Sequence, residues 1–157
     1  MNTVIVYDTQ FGNTEEVVQA IAETLHNYGQ VRTVRVEHTH PLYLDRVDLL
    51  ILGCPTQKRN ATLHMLSLLD YIPPASLSHL AVACFDTRLD QPQWLVGSAA
   101  ERMTRKLGKK DISRLLPPES FLVEGMHGPL KEGELGRAKI WAGMLHEQVE
   151  IGQGAWG

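Results

Sequence analysis

Residues 4–17 read Val-Ile-Val-Tyr-Asp-Thr-Gln-Phe-Gly-Asn-Thr-Glu-Glu-Val, and this stretch decides the fold. Its β-branched start predicts a strand, and apolar residues at helical spacing from Val17 onward predict a helix that begins near Thr14. A polar turn, residues 9–14, lies between them. Backbone N–H groups at the start of a helix lack partners within the helix, and the helix dipole favours negative charge there. The turn is therefore suited to bind a phosphate group through amide and hydroxyl donors.

Two well-known phosphate-binding motifs are absent from the sequence, namely G-x-x-x-x-G-K-[ST] and G-x-G-x-x-G. An ordinary strand-to-helix turn capped by Asn13 or Thr14 is the alternative interpretation of residues 9–14. The turn resembles the loop that holds the FMN phosphate in flavodoxins. That resemblance implies phosphate contacts from Thr9, Gln10, Phe11, Gly12, Asn13 and Thr14.

The remaining chain alternates between short apolar runs and stretches with room for helices. Five runs predict strands, at Val4–Tyr7, Val31–Val36, Leu49–Gly53, Leu80–Cys84 and Ser120–Val123. Helices are predicted at about Thr14–Asn27, Leu63–Tyr71, Ser98–Leu107 and Gly133–Val149. This alternation predicts an α/β fold whose parallel sheet is covered on both faces.

The resemblance makes the fold prediction more specific. It implies a flavodoxin-like three-layer sandwich with a five-stranded parallel sheet in the order 2-1-3-4-5. In that order, the loops after strands 1, 3 and 4 meet at one edge of the sheet. Residues 1–151 are expected to form one FMN-binding domain, and residues 152–157 a loose C-terminal tail.

The loop after the third strand, Gly53-Cys54-Pro55-Thr56-Gln57, resembles the second FMN loop of flavodoxins. The resemblance implies flavin contacts from Pro55, Thr56 and Gln57. Many flavodoxins place an aromatic residue soon after the threonine and stack it on the flavin ring. This chain has Gln57, followed by Lys58 and Arg59, at that place.

The loop after the fourth strand contains Phe-Asp-Thr-Arg and is followed by a tryptophan. Its position implies that it faces the flavin ring, with contacts from Phe85, Asp86, Thr87, Arg88 and Trp94. Phe85 or Trp94 could supply a stacking ring, although Phe85 fits a place in the core equally well. The planar guanidinium of Arg88 could stack on the ring or approach its polar edge. A salt bridge from Arg88 to Asp86 or Asp90 is the alternative.

Composition limits the other functions. A chain of 157 residues suits one domain, and a net charge of −3 gives no basic field for nucleic acid. The sequence shows no signal peptide and no apolar run of about 20 residues, so we expect a cytoplasmic protein without a membrane span. The two cysteines, Cys54 and Cys84, are expected to be buried reduced thiols. His38 and His40 have no Cys or acidic ligand nearby at a suitable spacing, so we do not expect them to bind a metal.

The resemblance covers nearly the whole chain. It is to the short-chain type of flavodoxin, because residues 121–135 have no room for the long-chain insertion. It implies an electron carrier that binds FMN and shuttles electrons between redox partner proteins, a reductase and an acceptor. The sequence shows no general base or nucleophile that would favour a substrate-turnover enzyme. The alternative is a flavodoxin-fold interaction or regulatory module with weak or no FMN binding. An FMN-dependent quinone reductase is a third possibility.

Overall fold

A five-stranded parallel sheet organises the protein. The structure, a computed structural model, describes residues 1–112 and 114–154. The strands are β1 (Thr3–Tyr7), β2 (Val31–Arg35), β3 (Leu49–Pro55), β4 (Ala81–Leu89) and β5 (Glu119–Val123). Their order is β2-β1-β3-β4-β5, and all neighbours are parallel. The predicted fold class and strand order are therefore confirmed.

Helices cover both faces of this sheet. They are α1 (Asn13–Leu25), α2 (Leu63–Tyr71), α3 (Gln93–Val96), α4 (Ala99–Gly108) and α5 (Glu134–Gly154), with short 3-10 turns at His26–Tyr28, Val36–His38 and Pro74–Leu77. Side chains alternate across β3, so Leu49 and Ile51 pack with α1 and α5, while Leu50 and Leu52 pack with α2 and α4. No helix in the described ranges has the length and apolar character needed to span a membrane.

The last helix is longer than its predicted end at Val149. It continues to Gly154, so residues 152–154 of the predicted loose tail are helical, and residues 155–157 lie outside the described residues. Two contacts account for the difference. Arg114 Nη2 donates to the carbonyl oxygen of Val149 at 3.1 Å, and Gln153 Nε2 donates to Asp48 Oδ1 at 3.2 Å.

Both cysteines are free and fully buried in the core on the α2 and α4 side. Burial raises the pKa of Cys84 to about 12 and raises the pKa of Cys54 further. Because the thiolate is the reactive form, both groups are inert at neutral pH in the folded protein.

An ion-pair clamp closes the outer edge of β5. Glu134 Oε2 accepts a hydrogen bond from the Leu122 N–H at 2.7 Å, so a side chain satisfies a backbone group of this edge strand. Arg137 pairs with Glu134 at 2.9 Å and with Glu119 at 3.2 Å. Its guanidinium carbon also lies 4.9 Å from the centre of the Phe121 ring. Burial alone would raise the pKa of Glu134, but the bonds from Arg137 and Leu122 outweigh it and lower that pKa.

We predict that Glu134→Gln destabilises the protein at pH 7 by about 1–3 kcal/mol, because it weakens charged hydrogen bonds to a buried group. A folded-state pKa below the unfolded one contributes stability above the unfolded pKa and loses it as pH falls. The difference from wild type should therefore shrink at about pH 3. Urea unfolding at both pH values checks this.

The control is Glu132→Gln, which removes the same charge at an exposed position just before α5. It should change the free energy of unfolding at pH 7 by less than about 0.5 kcal/mol. Equal losses for the two variants would show that the clamp is not the cause.

Candidate functional site

A cleft of about 380 Å³ opens at the edge of the sheet where β1, β3 and β4 end. This volume lies in the range of small-molecule binding sites. Four connections contribute lining residues: Thr9, Gln10, Phe11, Asn13 and Thr14 after β1; Pro55, Thr56, Gln57 and Lys58 at and after the end of β3; Thr87, Arg88 and Leu89 at the end of β4; and Val123 and Met126 at and after the end of β5. Ten of the predicted contact residues are thus brought together, and Gly12 lies within the first segment.

The first loop leaves the start of α1 open. Gly12 is the N-cap, with φ of 90°, and no side chain caps the helix. A Cβ at this position would meet nothing within 4 Å, so the left-handed backbone rather than space favours glycine. The Gly12 N–H donates to Thr9 Oγ1 at 3.1 Å, which closes the turn. The alternative of a turn capped by Asn13 or Thr14 is therefore not observed, and the first N–H groups of α1 remain available to an anion.

Thr14 and Thr87 join the first loop to the end of β4. Their hydroxyl oxygens are 2.9 Å apart, and both residues are buried although they line the cleft. The carbonyl oxygen of Thr87 also accepts from the Thr56 N–H at 2.8 Å. Thr87 therefore fixes the relative positions of the loops that follow β1 and β3.

The second loop is a tight turn with two residues in the left-handed region. Gln57 and Asn60 exchange backbone hydrogen bonds of 2.9 Å, and Lys58 and Arg59 between them have φ of 48° and 67°. This is a type I′ geometry, which costs non-glycine residues about 1–2 kcal/mol each.

Side-chain bonds hold this turn in place. Arg59 Nη1 donates to the carbonyl oxygens of Trp94 and Leu95 at 3.0 and 2.8 Å. Gln57 Nε2 donates to Gln10 Oε1 at 2.5 Å, across the cleft to the first loop. Thr56 Oγ1 accepts from the Ala99 N–H at 2.9 Å, which ties the loop to the first residue of α4.

Arg88 lines the cleft without a salt bridge among the described residues. Its Nη1 donates to the carbonyl oxygen of Gln91 at 3.0 Å, while its buried Nε has no hydrogen-bond partner. Asp90 pairs with Lys131 at 2.7 Å instead. The predicted alternative of an Arg88 salt bridge to Asp86 or Asp90 is therefore wrong, and the hydrogen bond to Gln91 uses only one of the five guanidinium N–H groups.

Apart from Gly12, three predicted contact residues do not line the cleft. Phe85 is fully buried, with its ring centre 5.8 Å from that of Phe121 and 5.9 Å from that of Trp141. Gly53 makes room for it, because a Cβ there would lie 2.1 Å from the Phe85 ring. Trp94 is 76% exposed on α3, outside the cleft lining. Neither ring is positioned to stack on a group bound in the cleft.

Asp86 is the third such residue, and it holds α4. The carboxylate is fully buried, and its Oδ2 accepts from Ser98 Oγ at 2.6 Å and from the Ala100 N–H at 2.9 Å. Its Oδ1 has no hydrogen-bond partner. Burial raises the pKa of Asp86 more than the bonds from Ser98 and Ala100 lower it. Asp86 therefore supports the site only indirectly, through the start of α4.

The fourth segment of the lining was missed by the sequence reasoning. Met126 is 75% exposed in the connection between β5 and α5, and Val123 ends β5. The Phe11 ring lies 4.2 Å from the His127 ring, so this connection packs against the first loop. Nothing in its sequence marks a ligand contact, because isolated apolar residues in loops have no distinctive spacing. In the described part of the chain, no group of three or more His, Cys, Asp or Glu side chains could hold a metal ion.

Comparison with known proteins is consistent with this geometry. The sequence profile named Flavodoxin matches residues 5–141. A search of curated proteins finds no match. A flavodoxin from the domain Archaea has a TM-score of 0.75 at 18% identity, over 96% of this chain and 99% of that one.

Two further solved structures share the fold. A short-chain flavodoxin associated with a non-canonical PDU bacterial microcompartment has a TM-score of 0.73 at 16% identity, over 95% of this chain and 99% of that one. The flavodiiron protein from Giardia intestinalis has a TM-score of 0.77 at 12% identity, over 96% of this chain but 36% of that longer one.

We predict that the titration of Asp86 makes the folded protein less stable as the pH rises. A folded-state pKa above the unfolded one contributes stability at low pH that is lost as pH rises through the folded pKa. Asp86→Asn removes this titration and keeps an acceptor for Ser98 and Ala100. The variant should therefore gain in stability relative to wild type between about pH 3 and pH 7. Thermal unfolding of both proteins across this range checks the direction, and a difference that does not depend on pH would contradict it.

Proposed function

Because the chain belongs to the flavodoxin family, we propose that residues 1–151 form a short-chain flavodoxin domain that binds one FMN without a covalent link. We further propose that the protein passes single electrons between a reductase and an acceptor protein in the cytoplasm. The observation that carries the proposal is the open start of α1 behind Gly12, which faces a cleft of suitable volume.

The residues of the first loop fit a phosphate group. The uncapped N–H groups of α1 and the positive end of its dipole favour a dianion. The Thr14 and Thr87 hydroxyls lie at the cleft, and whichever of them accepts the bond between the two can donate its own proton to the phosphate. The phosphate would be held by Thr9, Gln10, Phe11, Gly12, Asn13 and Thr14.

The other loops fit the remainder of the cofactor. Polar contacts would come from Thr56, Gln57 and Thr87 and from the guanidinium of Arg88, all of which line the cleft. Leu89, Val123 and Met126 give the cleft an apolar side that a flavin ring could cover. Bound FMN would supply one-electron transfer chemistry, while the protein sets its orientation and electrostatic surroundings.

The cleft lining favours a carrier over an enzyme of acid–base chemistry. The residues of the lining, all of them described, include no His, Cys, Asp or Glu. They do include two cations, Lys58 and Arg88. A site of this composition can bind an anionic cofactor, but it offers no side chain that would accept a proton at neutral pH.

One observation favours the alternative function. Flavodoxins commonly stack an aromatic ring on the flavin from the second or third loop, and here Gln57 replaces one such residue while Phe85 is buried. A flavodoxin-fold module with weak or no FMN binding, acting through interactions alone, remains the second candidate.

The absorption spectrum of the purified protein, and of the protein titrated with FMN, separates the two candidates. Binding should perturb the flavin bands near about 370 and 450 nm and saturate at one FMN per chain. An unperturbed flavin spectrum with excess protein at about millimolar concentration would favour the interaction module.

We predict that Thr14→Val weakens FMN binding by about tenfold to a hundredfold. The change keeps the shape of the side chain but removes a donor to a charged group, at a cost of about 1.5–3 kcal/mol. Riboflavin lacks the phosphate and should lose much less affinity than FMN, since only the loss of the Thr14–Thr87 contact affects it. Calorimetric titration with both ligands checks this, and an equal loss of affinity for the two would contradict the phosphate assignment.

We predict that Arg88→Ala lowers the second one-electron reduction potential of the bound flavin. The second electron adds negative charge, which a nearby cation stabilises by Coulomb attraction. Loss of the cation should lower the potential by on the order of 50 mV, or about 1.2 kcal/mol. Arg88→Lys is the matched control, since it keeps the charge and should stay near wild type. Spectroelectrochemical titration decides, and an unchanged or raised potential in Arg88→Ala would contradict this prediction.

A further inference from the structure

The outward face of α5 carries large apolar side chains. Ile140, Met144 and Ile151 are 67%, 50% and 72% exposed, on the side opposite to the buried Trp141 and Leu145. At 100° per residue these three side chains share one stripe with two glycines and a glutamate. We call this set the outer stripe of α5: Gly136, Ile140, Gly143, Met144, Glu147 and Ile151.

Apolar residues therefore lie on two opposite sides of α5, whereas a surface helix normally presents a polar face to solvent. The inner side of the helix packs against α1 and the sheet. None of the residues that line the cleft belongs to α5, all of them being described. The binding site does not account for the outer stripe.

Charged side chains along α5 indicate which kind of surface would cover the stripe. Lys139 lies in the first half of the helix, and Glu147 and Glu150 lie in the second half. Its last turn has no basic residue. Glu134 in the first turn suits the helix dipole but is held by Arg137, whereas Glu147 and Glu150 near the end of the helix do not suit the dipole. Lys139, Glu147 and Glu150 match a second copy of the same helix in antiparallel orientation.

We propose that two copies of this chain associate through antiparallel α5 helices, related by a two-fold axis between residues 143 and 144. In this register Ile151 of one copy faces Gly136 of the other, and Met144 faces Gly143. A Cβ at either glycine would meet nothing within 4 Å, so each glycine leaves a hollow on the surface. Met144 and Ile151 of each copy thus fill hollows in the other, and Ile140 lies against the methylene groups of Glu147.

The same register pairs the charges. Residues 139 and 147 lie almost opposite each other across the two-fold axis, and residue 150 lies one turn further on the same side. Lys139 of one copy therefore approaches Glu147 and Glu150 of the other, and symmetry repeats the contact. Lys139 already lies 3.4 Å from Glu23 of its own chain, with both side chains well exposed. A parallel pair would instead place like charges together.

Light scattering after size exclusion tests the association. We expect the mass to rise from 17.6 kDa towards twice that value as the protein concentration increases. Gly143→Gln should keep the protein monomeric, because the new side chain fills the hollow. The variant should still fold, because glutamine has a higher helix propensity than glycine, and its thermal midpoint should not fall. Leu135→Gln is the matched control, an apolar exposed residue of α5 outside the stripe, and it should still associate.

Cysteine cross-linking tests the register. Gly143→Cys places two thiols beside the two-fold axis, and mild oxidation should link the copies. In Lys139→Cys the two thiols are nine residues apart along the pair, about 13 Å, and should not link. Cys54 and Cys84 are buried, so wild type serves as the blank.

The proposal is overturned if wild type stays monomeric up to about millimolar concentration. It is also overturned if Gly143→Gln associates like wild type, or if Lys139→Cys cross-links as readily as Gly143→Cys. Co-purification of a different protein that is lost on Ile140→Glu, with no self-association, would assign the stripe to another partner and equally overturn the proposal.

Discussion

The 2.9 Å contact between the buried hydroxyls of Thr14 and Thr87 is the interaction on which the site depends. It links the first turn of α1 to the end of β4, while the Thr87 carbonyl oxygen binds the backbone of Thr56 after β3. Three loops from distant parts of the sequence are thereby held around one cleft. The strand order makes this possible, because it places the ends of β1, β3 and β4 side by side. The start of α1 then faces the cleft with its N–H groups uncapped.

The pKa shifts of the buried carboxylates depend on the hydrogen-bond and ion-pair partners of each group and not on burial alone. Asp86 and Glu134 are both buried carboxylates, yet their pKa values shift in opposite directions. Glu134 is paired with an arginine, whereas Asp86 receives only neutral donors and keeps one oxygen without a partner. The cleft itself has cations in its lining and no carboxylate. The charges around the cleft would therefore favour an anionic cofactor. Association of two copies through the outer stripe of α5 would not cover the cleft.

Short-range sequence patterns predicted most of the fold. The site was harder to predict, because it depends on contacts between residues that are far apart in the sequence. Most strand positions, the order of the sheet and the first loop follow from periodicity, a polar turn and a family resemblance. The fourth strand differs, since β4 runs to Leu89 whereas the prediction ended it at Cys84. Two predicted contact residues on β4 do not line the cleft, because successive side chains of a strand point to opposite faces. Phe85 faces α5 and Asp86 faces α4, so neither reaches the cleft. Met126 was missed because its place depends on how the connection after β5 packs on Phe11 and the first loop.

The central claim is that the start of α1 holds the phosphate of FMN, and phosphorus NMR of the complex tests it most directly. Free phosphate monoesters take up a proton near pH 6, whereas N–H donors and the helix dipole favour the dianion. The phosphorus chemical shift of bound FMN should therefore keep the value of the dianion between about pH 5 and pH 8. A bound resonance that titrates near pH 6, as in free FMN, would show a solvent-exposed phosphate and contradict the account.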